Sequence, residues 1–120
     1  MRDKPLIWLG SSRRDLRAFP EGARRLAGFQ LRLVQHGSDP ADWKPVPVVG
    51  RGVREIRIHV EGAHRVFYVA TFAEGVYVLH AFEKKTRKTA ERDLELGRDR
   101  FQAITRLRQG YGKKRDAKRR

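Results

Sequence analysis

The most regular polar and apolar alternation lies in 53–60, where Ile56, Ile58 and Val60 alternate with Glu55, Arg57 and His59. That period of two predicts a strand with one buried and one polar face. The next two runs, 64–72 and 76–82, are apolar on both faces, as central strands covered on both sides require. Glu61-Gly62-Ala63 and Glu74-Gly75 supply turns, so the three runs predict an antiparallel meander.

Leu6-Ile7-Trp8-Leu9, between Pro5 and Gly10, suits an additional first strand, and Ser11 and Ser12 can then cap a helix. From 13 to 36 the period becomes helical, interrupted at Pro20, where Phe19 must leave the α region. A short helix, a corner and a longer helix are predicted. In the longer one Ala23, Leu26, Ala27, Leu31 and Val34 form one apolar face, with Arg24, Arg25 and Arg32 largely off it. Gly37 ends it, and 38–52, with three prolines and two glycines, reads as a loop. After Thr89, Leu94, Phe101, Ile104 and Leu107 make a rough helical stripe that Gly97 weakens and Gly110-Tyr111-Gly112 closes. The predicted fold is α+β, with an N-terminal strand and helical hairpin on a curved, mainly antiparallel sheet and a C-terminal helix. Residues 1–110 form one domain, and 111–120 form a basic tail whose charge density predicts disorder.

Turn lengths give a first estimate of strand register. A three-residue loop sets His59 opposite Arg65 and Arg57 opposite Phe67. A two-residue loop sets Val69 opposite His80, Phe67 opposite Phe82 and Arg65 opposite Lys84. Arg57, His59, Arg65, His80, Phe82 and Lys84 then share one face, while Ile56, Ile58, Val66, Tyr68, Phe72, Tyr77 and Leu79 share the core face. The strand at 76–82 runs without a break into Glu83-Lys84-Lys85-Thr86-Arg87-Lys88-Thr89, so a rigid element ends by projecting cations.

Composition adds a partner class. In 120 residues, 28 Lys and Arg stand against 14 Asp and Glu, a net charge of +14 that points to phosphate-rich partners. The absence of cysteine excludes disulfides and thiolate metal sites and suits a reducing cytoplasm. The longest uncharged apolar-rich run, 66–73, is far short of the roughly 20 residues of a membrane span. The first residues, Met1-Arg2-Asp3-Lys4-Pro5, lack the apolar segment of a signal peptide.

The element order, the Arg54-Glu55-Ile56-Arg57 strand, the His64-Arg65-Val66-Phe67-Tyr68 strand and above all Phe82-Glu83-Lys84-Lys85-Thr86-Arg87-Lys88-Thr89 resemble the phage-derived, HigB-type branch of the RelE/ParE toxin superfamily. The resemblance covers about 4–107. It departs from the family at Ala90, where members usually carry Pro, which leaves the start of the last helix open, and the long basic tail is not a family hallmark.

What the resemblance implies is a small toxin, encoded with a helix-turn-helix antitoxin, that cleaves mRNA near the 16S rRNA decoding site of the ribosome. The chemistry is attack of a ribose 2′-hydroxyl on the adjacent phosphate, which needs a proton acceptor, a stabilised anionic phosphorus centre and a proton donor, and no metal or other cofactor. By position, Arg57 and Arg65 match the arginines that hold the phosphate, and the planar fork of a guanidinium suits that task. Lys84, Lys85 and Lys88 match the cationic motif, with Arg87 beside them for RNA contact. One lysine becomes a base if neighbouring cations depress its pKa. Phe82 is expected to stack on a base. His59 and His80 are the imidazoles on the same face, and the acid–base pair stays open among these groups. Two further readings come from the same resemblance and charge. One is a non-catalytic, ParE-like toxin that poisons DNA gyrase; the other is a nucleic-acid-binding remnant without toxicity.

Overall fold

The computed structural model describes residues 3–118, with side chains described for 3–110. Its elements are β1 (Leu6–Trp8), α1 (Ser12–Arg17), α2 (Glu21–Gln35), β2 (Trp43–Pro45), β3 (Val53–Ile58), β4 (His64–Val69), β5 (Val76–Glu83) and α3 (Glu91–Lys118). The strands form one mixed sheet in the order β1-β5-β4-β3-β2, in which only the β1–β5 pair is parallel. The fold is α+β and RelE-like. Among the described residues no helix is long and apolar enough to cross a membrane.

Each sheet face has its own core, which is why β4 and β5 carry apolar residues on both faces. On one side Ala23, Ala27, Leu31 and Val34 of α2, with Leu16 of α1, pack on Ile56, Ile58, Val66, Tyr68 and Val78. On the other, Ile104, Leu94 and Phe101 of α3 pack on Val53, Phe67, Val69, Leu79 and Phe82. The apolar face read from α2 is therefore the observed one. Leu107 departs from the expected stripe, being 71% exposed. The helix also runs through Gly110 and Gly112 rather than stopping there. A glycine costs a helix only about 1 kcal/mol, and the chain holds no proline here to enforce a stop. The expected tail begins at 111, beyond the described side chains, and 119–120 lie outside the described residues.

The expected loop at 38–52 contains a short edge strand, β2, which pairs with β3 from Trp43 opposite Ile56 to Pro45 opposite Arg54. Its Pro45 is tolerated because an edge strand leaves one row of backbone groups unpaired. Arg54 lies over the Trp43 ring at 3.9 Å.

Register also departs from the turn-based estimate. The β3–β4 ladder closes at Ile58 opposite His64, leaving a five-residue loop, 59–63, with Glu61 and Gly62 at positive φ. Arg57 therefore faces Arg65, not Phe67. The slip is two residues, so the faces predicted for these two strands survive. Between β4 and β5 the pairs are Arg65 with Phe82 and Phe67 with His80, then Tyr68 with Val78, the step between them marking a β-bulge at Leu79. Beyond it the face assignment inverts, because a bulge adds one residue to one strand only. Tyr77 and Leu79 consequently belong to the α3 side, not to the α1/α2 core where alternation alone puts them, and Phe72, past the end of β4, joins them there. Lys84 lies past the end of β5 with its backbone N–H on Ala63 O at 2.7 Å, so it does not stand opposite Arg65.

Two polar contacts fix α3 across this irregular strand. Arg100 Nη1 donates to Leu79 O, the bulge carbonyl, at 2.8 Å, and its Nη2 reaches Ser11 Oγ at 3.0 Å. Asp93 Oδ1 accepts from His80 Nε2 at 2.8 Å. The Arg100 bridge explains Gly10, whose φ is +52° and where a Cβ would lie 2.8 Å from the guanidinium.

Candidate functional site

Beyond the reach of α3, the same sheet face changes from apolar to cationic. The alternation that places Val53 and Phe67 against the helix also places Arg57 and Arg65 on that face, directly opposite each other on neighbouring strands. Arg65 is 3% exposed and Arg57 half-buried. Arg65 Nη1 donates to His64 O at 2.9 Å, while the Nε of both arginines is buried without a protein hydrogen-bond partner. Among the described residues neither arginine forms an ion pair.

Two like charges opposite each other in a sheet repel, and burying a charge without a partner is costly. Burial pushes the pKa of Arg65 down, Glu55 and Asp42 pull it back up, and the neighbouring Arg57 adds to the fall. Folding thus leaves two guanidinia held near each other and short of acceptors. A bound oxyanion offers what both lack: negative charge and several acceptor lone pairs.

The rim is built from three segments. His59, exposed just after β3, is hydrogen-bonded through Nε2 to Asp42 Oδ2 at 3.1 Å, and the Arg57 N–H donates to Asp42 O at 2.9 Å. Glu55 lies two residues before Arg57 on the same side of β3. The third segment continues from β5: Lys84 is half-buried against the start of β4, and Lys85, Arg87 and Lys88 are exposed in the connection to α3. A cleft of about 130 Å³, lined by Phe82, Lys84, Lys85, Thr86 and Arg92 among others, opens beside it.

Two expected site residues have other duties. Phe82 is 8% exposed, edge-on to Phe67 at 5.1 Å and stacked on His80 at 4.8 Å, so its ring is taken up by packing and is not presented to a base. His80 is 5% exposed with Nε2 engaged by Asp93. Burial holds its pKa below the ordinary imidazole range against the opposing pull of Asp93. It ties α3 to the sheet and is poorly placed for exchanging protons with a ligand. Arg57 and Arg65 remain side by side on the sheet face, His59 follows the end of β3, and Lys84, Lys85, Arg87 and Lys88 follow the end of β5.

Sequence reasoning missed Asp42, Asp93 and Arg100. Asp42 stands in a stretch read as loop, and no spacing rule ties it to His59, 17 residues away. Asp93 and Arg100 are ordinary surface-type residues of a helix until the bulge brings backbone and imidazole under them. Glu55 had a signal in its i, i+2 relation to Arg57.

No curated protein matches the chain. The family model described as phage derived protein Gp49-like (DUF891) matches residues 14–102, a span that runs from within α1 through β5 and includes both site arginines, the cationic connection and the start of α3. The chain belongs to the phage-derived Gp49-like family.

Proposed function

We propose that this protein is the HigB-type toxin of a type II toxin–antitoxin pair and acts as a metal-independent endoribonuclease on mRNA in the ribosomal decoding site. The observation that carries the reading is the cross-strand Arg57–Arg65 pair, one buried and one half-buried, with no ion pair among the described residues and with both Nε atoms lacking a partner. The family match is in keeping with a toxin, and the +14 charge with an RNA partner.

In this reading the scissile phosphate lies against Arg57 and Arg65, whose charges oppose the negative charge that builds on the non-bridging oxygens as the 2′-oxygen attacks. The new bond is 2′-O–P and the broken bond is P–5′-O, giving a 2′,3′-cyclic phosphate and a 5′-hydroxyl. His59 is the imidazole just after β3, and Asp42 orients its ring, so it takes the 2′-hydroxyl proton. Lys84 gives a proton to the departing 5′-oxygen, which leaves as the 5′-hydroxyl, and Lys85, Arg87 and Lys88 hold the flanking backbone. The partner that neutralises the toxin is a helix-turn-helix antitoxin that covers this cationic face with acidic residues.

Induction of the wild type and of Arg65→Ala and Lys84→Ala variants tests the assignment. Growth arrest is expected only for the wild type, together with new mRNA 5′ ends in frame with codons by primer extension. Full toxicity in both variants would sink the site, and linearised plasmid DNA without mRNA cleavage would replace ribonuclease activity by gyrase poisoning.

A further inference from the structure

The opposite face of the sheet holds a second feature that the proposed nuclease does not use. A cavity of about 340 Å³ lies between the end of α2, the start of the chain and the β3–β4 ladder, and Lys4, Ser38, Asp39, Arg54, Tyr68 and Thr71 are among its walls. Arg54 and Tyr68 are cross-strand partners, one position out of phase with Arg57 and Arg65, and so belong to the α2 side. The volume is that of a small-ligand pocket.

Its chemistry is dominated by donors. Tyr68 is 1% exposed, and its buried hydroxyl has only the Arg54 guanidinium beside it, itself a donor, so that its O–H finds no protein acceptor. Leaving such a group unpaired is unfavourable, which makes it a marker for something that occupies the cavity. An ammonium carries three donors. Lys4 Nζ gives two, to Ala70 O at 2.7 Å and Phe72 O at 3.0 Å, and Lys4 forms no ion pair among the described residues. Arg54 Nη1 reaches Asp39 at 2.9 Å.

Lys4 and Arg54 against Asp39 leave one positive charge in the lining. The negative end of α2 is the opposing influence, equivalent to about half a charge at most. It is weakened here, because the carbonyls of Arg32, Leu33, Val34 and Gln35 are already taken by the N–H groups of His36, Ser38, Gly37 and Lys4. Asp3 is engaged by the lining His36 at 2.6 Å and is not itself in the wall, so the lining side chains carry a positive surplus and Lys4, Arg54 and Tyr68 bring donors to it.

We propose that the cavity bounded by Lys4, Arg54 and Tyr68 is a second ligand site, distinct from the Arg57–Arg65 face, that takes a phosphate group, either free or on a mononucleotide. A tetrahedral oxyanion presents acceptors in several directions, as donors converging from β3, β4 and the chain start demand.

The test is calorimetric titration of inorganic phosphate and, separately, adenosine 5′-monophosphate into the full chain at fixed ionic strength. The background is Arg65→Met, which disables the other anion-binding face. Saturable one-to-one binding is expected. Arg54→Gln and Lys4→Met should each weaken it tenfold or more, the scale of a charge-assisted contact, and Tyr68→Phe about three- to tenfold. Tighter binding of the nucleotide identifies a mononucleotide site, and equal affinity identifies a site for the free ion. No saturable binding, or one affinity shared by all three variants, overturns the proposal. Tyr68→Phe removes a single oxygen and keeps the melting transition, so its result cannot be ascribed to unfolding.

Discussion

Replacing Arg65 with Met should move stability and activity in opposite directions. The side chain is 3% exposed, in no ion pair among the described residues, and bonded to protein only through Nη1 and the His64 carbonyl. Met fills a similar volume without charge. The variant loses one hydrogen bond, worth about 1 kcal/mol, and relieves a buried unsatisfied Nε, worth about 1–3 kcal/mol, together with the repulsion from Arg57 and part of the desolvation of the charge. The expected net effect is a gain of about 1–3 kcal/mol, or about 4–12 °C in melting temperature at roughly 4 °C per kcal/mol for a domain of this size. Activity should move the other way. Loss of a preorganised group at the anionic transition state costs about 2.7–4 kcal/mol, a hundred- to thousandfold fall in RNA cleavage. Urea and thermal melts of the two proteins, with cleavage assayed on programmed ribosomes, read both numbers. A variant less stable than the wild type, or one that cleaves normally, refutes the idea that Arg65 is kept at a cost to the fold for the sake of an anion.

Acidification should destabilise the protein through His80. Its pKa is lowered in the folded state, chiefly by burial, so the unfolded chain binds the proton more readily, and stability present above about pH 6.5 is lost as pH falls toward the folded-state value. Thermal melts from pH 7.5 to 5 should show a decline with a limiting slope of about 1.4 kcal/mol per pH unit, reduced in His80→Gln. Two helical glycines should respond oppositely to alanine. Gly28→Ala in α2, with nothing within 4 Å of the new Cβ, should gain about 0.5–1 kcal/mol. Gly97→Ala places Cβ 2.9 Å from Phe67 and 3.0 Å from Val49, so overpacking of about 1–3 kcal/mol should outweigh the helical gain, as denaturant melts will read. Asp42→Asn should leave the melting temperature within about 1 °C, because the His59 contact is exposed, yet shift the pH profile of cleavage if His59 is the proton acceptor.

Much of this architecture was legible in the order of residues. The period-two pattern at Glu55, Arg57 and the intervening isoleucines fixed which face of β3 is polar, and the doubly apolar runs of β4 and β5 announced helices on both sides. The α2 face was readable from spacings of three and four, and the density of Lys and Arg pointed to a polyanion. Those features depend on local geometry and burial alone, which a linear sequence records directly.

What the sequence could not carry is anything set by an insertion or a long-range partner. The five-residue loop at 59–63 made Arg57 face Arg65, and the bulge at Leu79 turned Tyr77 toward α3; each rests on one or two residues of slip to which side-chain periodicity is blind. Gly97 looked like a weak point of a helix and is the place where α3 comes close to Phe67. His80 and Phe82 looked available for chemistry and are taken up by Asp93, Phe67 and each other. Sequence determined that cations and aromatics would gather on one face of the sheet. The tertiary structure decided which of them stay uncompensated, because only packing sets the distance from each charge to its nearest acceptor.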